Sequence, residues 1–237
     1  MAYIWQNNRW PEFMWDSDRL LDLHGQVRYH LGAFLEKIAS LGFDLSQQAH
    51  ADIMAEEVVK SSQIEGESFD LASVRSSVGH KLGLPGGVLP SDRRADGFIE
   101  VLLDATRNFD QPLTAERLCG WQAALFPTGY SGIVQISVGK WRDDREKPMQ
   151  IVSGAYGRET VHFEAPPASR LNDEMKDFIE WFNENDQLDG LFKAGVAHLY
   201  FVTLHPFDDG NGRIARVLSD MALAIDEWQP QRFYSLS

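Results

Sequence analysis

The chain has 237 residues, 43% hydrophobic and 24% charged, which suits an ordinary soluble globular protein with one large core or two small ones. Its formal charge of −13 would repel a phosphate backbone, and no Lys/Arg cluster offsets this locally, so nucleic acid is not expected as a partner. The single cysteine, Cys119, cannot close an internal disulfide and is expected as a small core residue. No signal-peptide pattern opens the chain and no apolar stretch is long enough to cross a bilayer, so a cytoplasmic protein without a membrane partner is expected.

Taken in chain order, residues up to Asp16 are rich in aromatics (Tyr3, Trp5, Trp10, Phe13, Trp15) and are expected to lie extended across later helices. Apolar residues then return at three- and four-residue spacing, predicting helices over 17–41, 45–65, 69–79, 91–108, 114–125, 167–185, 189–204 and 210–227. The fold class is therefore mainly α. Gly79 to Pro90, with its Pro85-Gly86-Gly87 run, reads as a loop. The exception to helix is 149–164, where the β-prone stretches Met149–Val152 and Thr160–Phe163 flank a turn containing Gly154 and Gly157 and predict a β-hairpin.

The segment His205 to Arg216, HPFDDGNGRIAR, concentrates the chemistry. Pro206 disfavours helix at His205, which ends the preceding helix and leaves the imidazole in a loop. Gly210 and Gly212 permit tight backbone at the start of a new helix, whose first N–H groups can hold an anion. Arg213 and Arg216 are neighbours on that helix, apart from the apolar stripe Ile214, Val217, Leu218, Met221 and Ile225. Asp209 adds a hard oxygen ligand suited to Mg²⁺ bridging substrate phosphates, and His205 a base near neutrality.

Other motifs fail. Gly139-Lys140 is followed by Trp141, and Val134 stands where a P-loop requires glycine. An EF-hand starting at Asp209 would put Arg213 at a ligand position, and the remaining histidines form no HExxH zinc pattern. His198 reads as a hydrogen-bonded core residue.

These twelve residues resemble the Fic signature, His-Pro-Phe-x-Asp/Glu-Gly-Asn-Gly-Arg-x-x-Arg, without departure at any defined position. The resemblance implies a Fic-type helical bundle in which the hairpin is a flap, an N-terminal part over 1–90 carrying an inhibitory helix at about 45–66, and a core over 91–237. A winged-helix domain that often follows in one bacterial branch is absent from this sequence. The resemblance further implies transfer of AMP from ATP to a side-chain hydroxyl of a protein, the chain itself included. His205 would be the base, Asp209 the Mg²⁺ ligand and Phe207 a buried anchor. Gly210, Asn211, Gly212, Arg213 and Arg216 would bind phosphates, while Gln150, Val152 and Ser153 of the flap would pair with an extended target.

Ser61 to Gly66, SSQIEG, is similar to the family's inhibitory pattern. Met54, Val58, Ser61 and Glu65 fall at i, i+4, i+7 and i+11, so Glu65 continues an inward-facing stripe and as a buried carboxylate needs a cation, for which the resemblance offers Arg216. Gly66 suits a left-handed helix stop. Removal of AMP by the same site and a catalytically silent nucleotide-binding module are the alternatives, and the sequence leaves a homodimer open.

Overall fold

The computed structural model describes residues 2–85, 93–144, 148–154, 157–184, 188–235 and 237. Among them are eight α-helices: α1 (Ser17–Ala39), α2 (Phe43–Ile64), α3 (Leu71–Lys81), α4 (Arg93–Arg107), α5 (Ala115–Leu125), α6 (Leu171–Glu184), α7 (Gly190–Leu204) and α8 (Asn211–Glu227). Two antiparallel pairs of short strands complete it, β1 (Tyr130–Ser131) with β2 (Val134–Gln135) and β3 (Gln150–Ser153) with β4 (Thr160–Glu164). The fold is mainly α with a β-hairpin of β3 and β4, as the residue pattern predicts. The hairpin of β1 and β2 is additional, because two-residue strands carry no alternation to read.

Helix ends shift by a few residues for local reasons. Asp70 caps α3 by accepting from the Ser73 N–H at 2.8 Å, which moves the start to Leu71. The same helix runs past Gly79 to Lys81 and stops at Gly83, whose φ of 74° permits the left-handed turn. Pro166 and Pro167 delay α6, which is preceded by a 3₁₀ turn at Ala168–Arg170. Parts of the expected 79–90 loop, of the first turn of the fourth helix and of the flap turn lie outside the described residues.

Helix α8 is the centre. Its residues from Ile214 to Ala224 are buried on every side, with α7 antiparallel along one flank and α4, α5 and α2 on others. Helix α6 backs α7, and Phe178, Phe182, Tyr200 and Phe201 form an aromatic layer between them. The N-terminal segment lies over this layer: Trp10 packs edge-on to Tyr200 at 5.0 Å and donates to Glu174 at 2.9 Å, while Trp5 donates to the Glu164 carbonyl at the end of β4 at 2.6 Å. Cys119 sits half-buried at the margin of the core.

Candidate active site

The connection between α7 and α8 carries His205, Phe207 and Asp209. His205 closes α7 in the left-handed region, φ 49° and ψ 57°, an uncommon conformation for a residue with a side chain. Its Nδ1 lies 3.1 Å from the Val202 carbonyl, which can only accept, so Nδ1 carries the proton and Nε2 of the neutral ring keeps its lone pair. Burial lowers the His205 pKa below the usual imidazole range, and the nearby Arg142 guanidinium acts in the same direction.

Three groups hold the loop in shape. Asn211 donates to the Phe207 carbonyl at 2.8 Å and accepts from the Phe207 N–H at 3.0 Å. The Phe207 ring is fully buried against Trp141 and Phe201. Arg142, 3% exposed, donates from Nε to the His205 carbonyl at 2.7 Å and from Nη2 to the Pro166 carbonyl at 2.6 Å, and it pairs with Asp144. No sequence signal singles out Arg142, because its acceptors are carbonyls that only the fold assembles.

Asp209 is half-buried, accepts from its neighbour Gly210 N–H at 2.5 Å, and receives the Ser131 hydroxyl from β1. Gly210 has φ 90°, and a Cβ there would lie 2.9 Å from the Phe126 ring, so both conformation and space call for glycine. The backbone N–H groups of Asn211, Gly212 and Arg213 open α8 and have no acceptor one turn back, which leaves an anion-binding end. The Asn211 side chain is the loop's own staple to Phe207, while its backbone N–H belongs to the open helix end.

The two arginines of α8 are buried rather than facing outward, Arg213 at 2% and Arg216 at 8% exposure, because the end of α2 covers them. Arg216 donates from Nη2 to Glu65 at 2.7 Å and to the Ser61 carbonyl at 3.0 Å, and from Nε to the Ser61 hydroxyl at 2.6 Å. Glu65 is the residue just beyond α2, and Gly66 follows with φ 79°. The Glu67 N–H bonds to the Ser62 carbonyl at 2.9 Å and the Gly66 N–H to the Gln63 carbonyl at 3.0 Å, a left-handed helix stop as the sequence predicts. The Glu65 side chain is 31% exposed, not buried as the stripe suggested, since the helix ends one residue before it. A Cβ on Gly212 would lie 2.0 Å from Glu65 Oε1, so the glycine gives this carboxylate its place.

Sequence reasoning missed Glu67, whose Oε1 lies 3.4 Å from Arg213. The only hint was a second acid after Gly66. His198 is half-buried with no hydrogen-bond partner for its ring among the described residues, which corrects the expectation for it. Burial lowers its pKa, and Arg216 adds to the effect. In the flap, β3 and β4 pair with a bulge between Ile151 and Val152, and β3 has no strand on its outer edge among the described residues. Gln150 bonds across to Glu164 at 2.8 Å and Ser153 to His162 at 2.6 Å, while Val152 is 46% exposed. A groove of about 490 Å³ runs between the flap, Arg142 and Asp208.

This loop, flap and helix pair define a Fic fold, and residues 112–223 match the Fic/DOC family, so the chain carries a Fic domain. Residues 3–84 match a family described as a domain of unknown function (DUF4172). The chain is 42% identical over 214 residues to "Uridine 5'-monophosphate transferase" of Xanthomonas campestris pv. campestris, covering 84% of this chain and 33% of that protein. It is 24% identical over 172 residues to "Protein adenylyltransferase Fic" of Nematostella vectensis, covering 70% of this chain and 36% of that one. A solved Fic domain containing signaling protein from Bacteroides thetaiotaomicron superposes with a TM-score of 0.63 at 21% identity, covering 83% of this chain and 71% of that one, a likeness of fold. The chain spans 12–36% of the length of the curated relatives it matches.

Proposed function

We propose that the chain transfers a nucleoside monophosphate, AMP from ATP in the leading reading, to a side-chain hydroxyl of a protein, and that Glu65 restrains it. The observation that carries this reading is one constellation: a neutral imidazole with its lone pair at Nε2, the open N-terminal end of α8, and a guanidinium of that helix held by a carboxylate.

In the reaction, His205 Nε2 takes the proton of the target hydroxyl as its oxygen attacks the α-phosphorus. The bond from that phosphorus to the bridging oxygen breaks, and pyrophosphate leaves. Asn211 and Gly212 supply backbone N–H groups to the phosphates, Gly210, whose N–H is taken by Asp209, gives the cradle its turn, and Arg213 and Arg216 supply positive charge once the acids over them withdraw. Asp209 fits a Mg²⁺ ligand: it is a half-buried carboxylate at the anion site, and the described residues hold no group of three or more His, Cys, Asp or Glu that could cage an ion without substrate oxygens. Mg²⁺ so held would neutralise charge on the departing phosphates. Gln150, Val152 and Ser153 lie on the open strand β3, which suits pairing with an extended target segment.

The Xanthomonas relative is a uridine 5'-monophosphate transferase, which makes UMP the specific second reading. Incubating the protein with Mg²⁺ and either ATP or UTP, with candidate targets and alone, and weighing the products by intact mass spectrometry tests both. A mass gain of one AMP that vanishes in His205→Ala supports the leading reading. A gain of one UMP replaces it with the second, and no gain from either nucleotide, even in Glu65→Gly, contradicts both.

A further inference from the structure

We infer that Glu67 is a second restraint, occupying Arg213 as Glu65 occupies Arg216, so that Glu65-Gly66-Glu67 stands in for two phosphate groups at once. The inference rests on the reading of this loop as a nucleotide site and deepens it. Two carboxylates flank a left-handed glycine at the end of α2, and two guanidiniums three residues apart face them from α8.

The Arg213–Glu67 contact has the features of a place held for something else. Arg142, which holds the loop, has both Nε and Nη2 matched to carbonyl oxygens. Arg213 is as deeply buried, yet its Nε has no hydrogen-bond partner, and neither does the second oxygen of Glu67. Their 3.4 Å approach is an ion pair without a formed hydrogen bond, and the Phe126 ring, 4.9 Å from the guanidinium carbon, supplies the remaining contact. Leaving a buried guanidinium N–H unmatched is costly. A phosphate oxygen entering at the start of α8 would supply the missing acceptor. Glu67 also has somewhere to go: it is 25% exposed and already lies 3.8 Å from Arg94 on α4. The glycine between the two acids lets them leave together as the end of α2 uncoils.

Two outcomes separate this from a positioning role. If Glu67 occupies the phosphate site, the isosteric neutral variant Glu67→Gln tightens ATP binding about fivefold, the effect of losing one charge-assisted contact, and raises transfer further in the Glu65→Gly background. If Glu67 instead orients Arg213 toward substrate, Glu67→Gln weakens ATP binding, and the inference is overturned. Affinity is read by calorimetry with Mg-ATP, with melting temperature measured in parallel. An equal affinity in both backgrounds also overturns it. An unaltered Glu67 provides a second measurement in case Glu67→Gln folds poorly: in Glu65→Gly, saturating Mg-ATP should speed hydrogen exchange at the Glu67 N–H, and unchanged exchange counts against the inference. Should Glu67→Gln tighten binding while Glu65→Gly stays as slow as wild type, the Glu65 restraint fails and that of Glu67 stands.

Discussion

His205 is held by its backbone on one side and its ring on the other, and both serve the same end. The left-handed turn lifts the imidazole out of α7, while the Val202 carbonyl fixes the proton on Nδ1. Replacing it by alanine should reduce transfer by about 10²–10⁴-fold and leave ATP affinity near wild type, measured by product mass and by calorimetry. Burial adds a pH signature. A base whose pKa is pushed below the usual imidazole range stays neutral to lower pH, so the acid limb of kcat/KM should lie at lower pH than an ordinary histidine would give. Stability carries the same sign: as pH falls from the unfolded value toward the folded one, only the unfolded chain takes up the proton, and the fold loses stability. His50 and His198, also lowered by burial, act in the same direction. Melting curves across that window check it.

At the scale of elements, the signature loop is a short link between two antiparallel helices, and one arginine from outside it does much of the holding. Arg142→Ala should cost about 3–5 kcal/mol, since it strands Asp144 and the carbonyls of His205 and Pro166 in buried surroundings, and denaturant unfolding measures this. Much of the site was legible beforehand because its signals are local. Pro206 ends α7, Gly210 takes a conformation that side chains disfavour, and Gly66 stops α2 where the sequence placed the stop. What was not legible depends on distant chain. Periodicity in α8 marks an apolar stripe but cannot show that α2 will cover the opposite face and bury Arg213 and Arg216. Nor can it show Ser131 reaching Asp209 from a two-residue strand, or Asn211 turning inward to Phe207. The same limit explains Glu65, whose place in a stripe implied burial although the helix stops before it.

Over the whole molecule, burial runs from the centre outward. Helix α8 is enclosed along most of its length, whereas α1 buries no residue and meets the rest through Arg28, which reaches Asp189 and Asp226 at 2.5 Å each, and through His24, which lies 3.0 Å from Asp189 and stacks on Phe192. The C-terminal residues fold back: the His50 ring on α2 bonds the Arg232 carbonyl at 3.0 Å, and Glu57 on α2 accepts from the Ser235 and Ser237 hydroxyls. The upper part of α2 is therefore anchored from two sides, and its exposed end at Glu65 is the part able to withdraw. Hydrogen exchange should rank these elements, with α8 slowest, α2 slow up to about Ser62 and faster beyond it, and α1 fastest. An α1 as protected as α8 would contradict this order.

The proposal stands or falls on whether this site transfers a nucleotide and Glu65 holds it back. Wild type, Glu65→Gly and the double variant Glu65→Gly/His205→Ala, each incubated with Mg-ATP and followed by intact mass over time, test it most directly. With Arg216 released, the phosphates can align with the attacking hydroxyl, and misalignment alone is worth about 10²-fold, so Glu65→Gly should acquire AMP on itself or on a supplied target far faster than wild type. The double variant should acquire none. A Glu65→Gly protein that binds ATP yet gains AMP no faster than wild type, across several candidate targets, would contradict the claim.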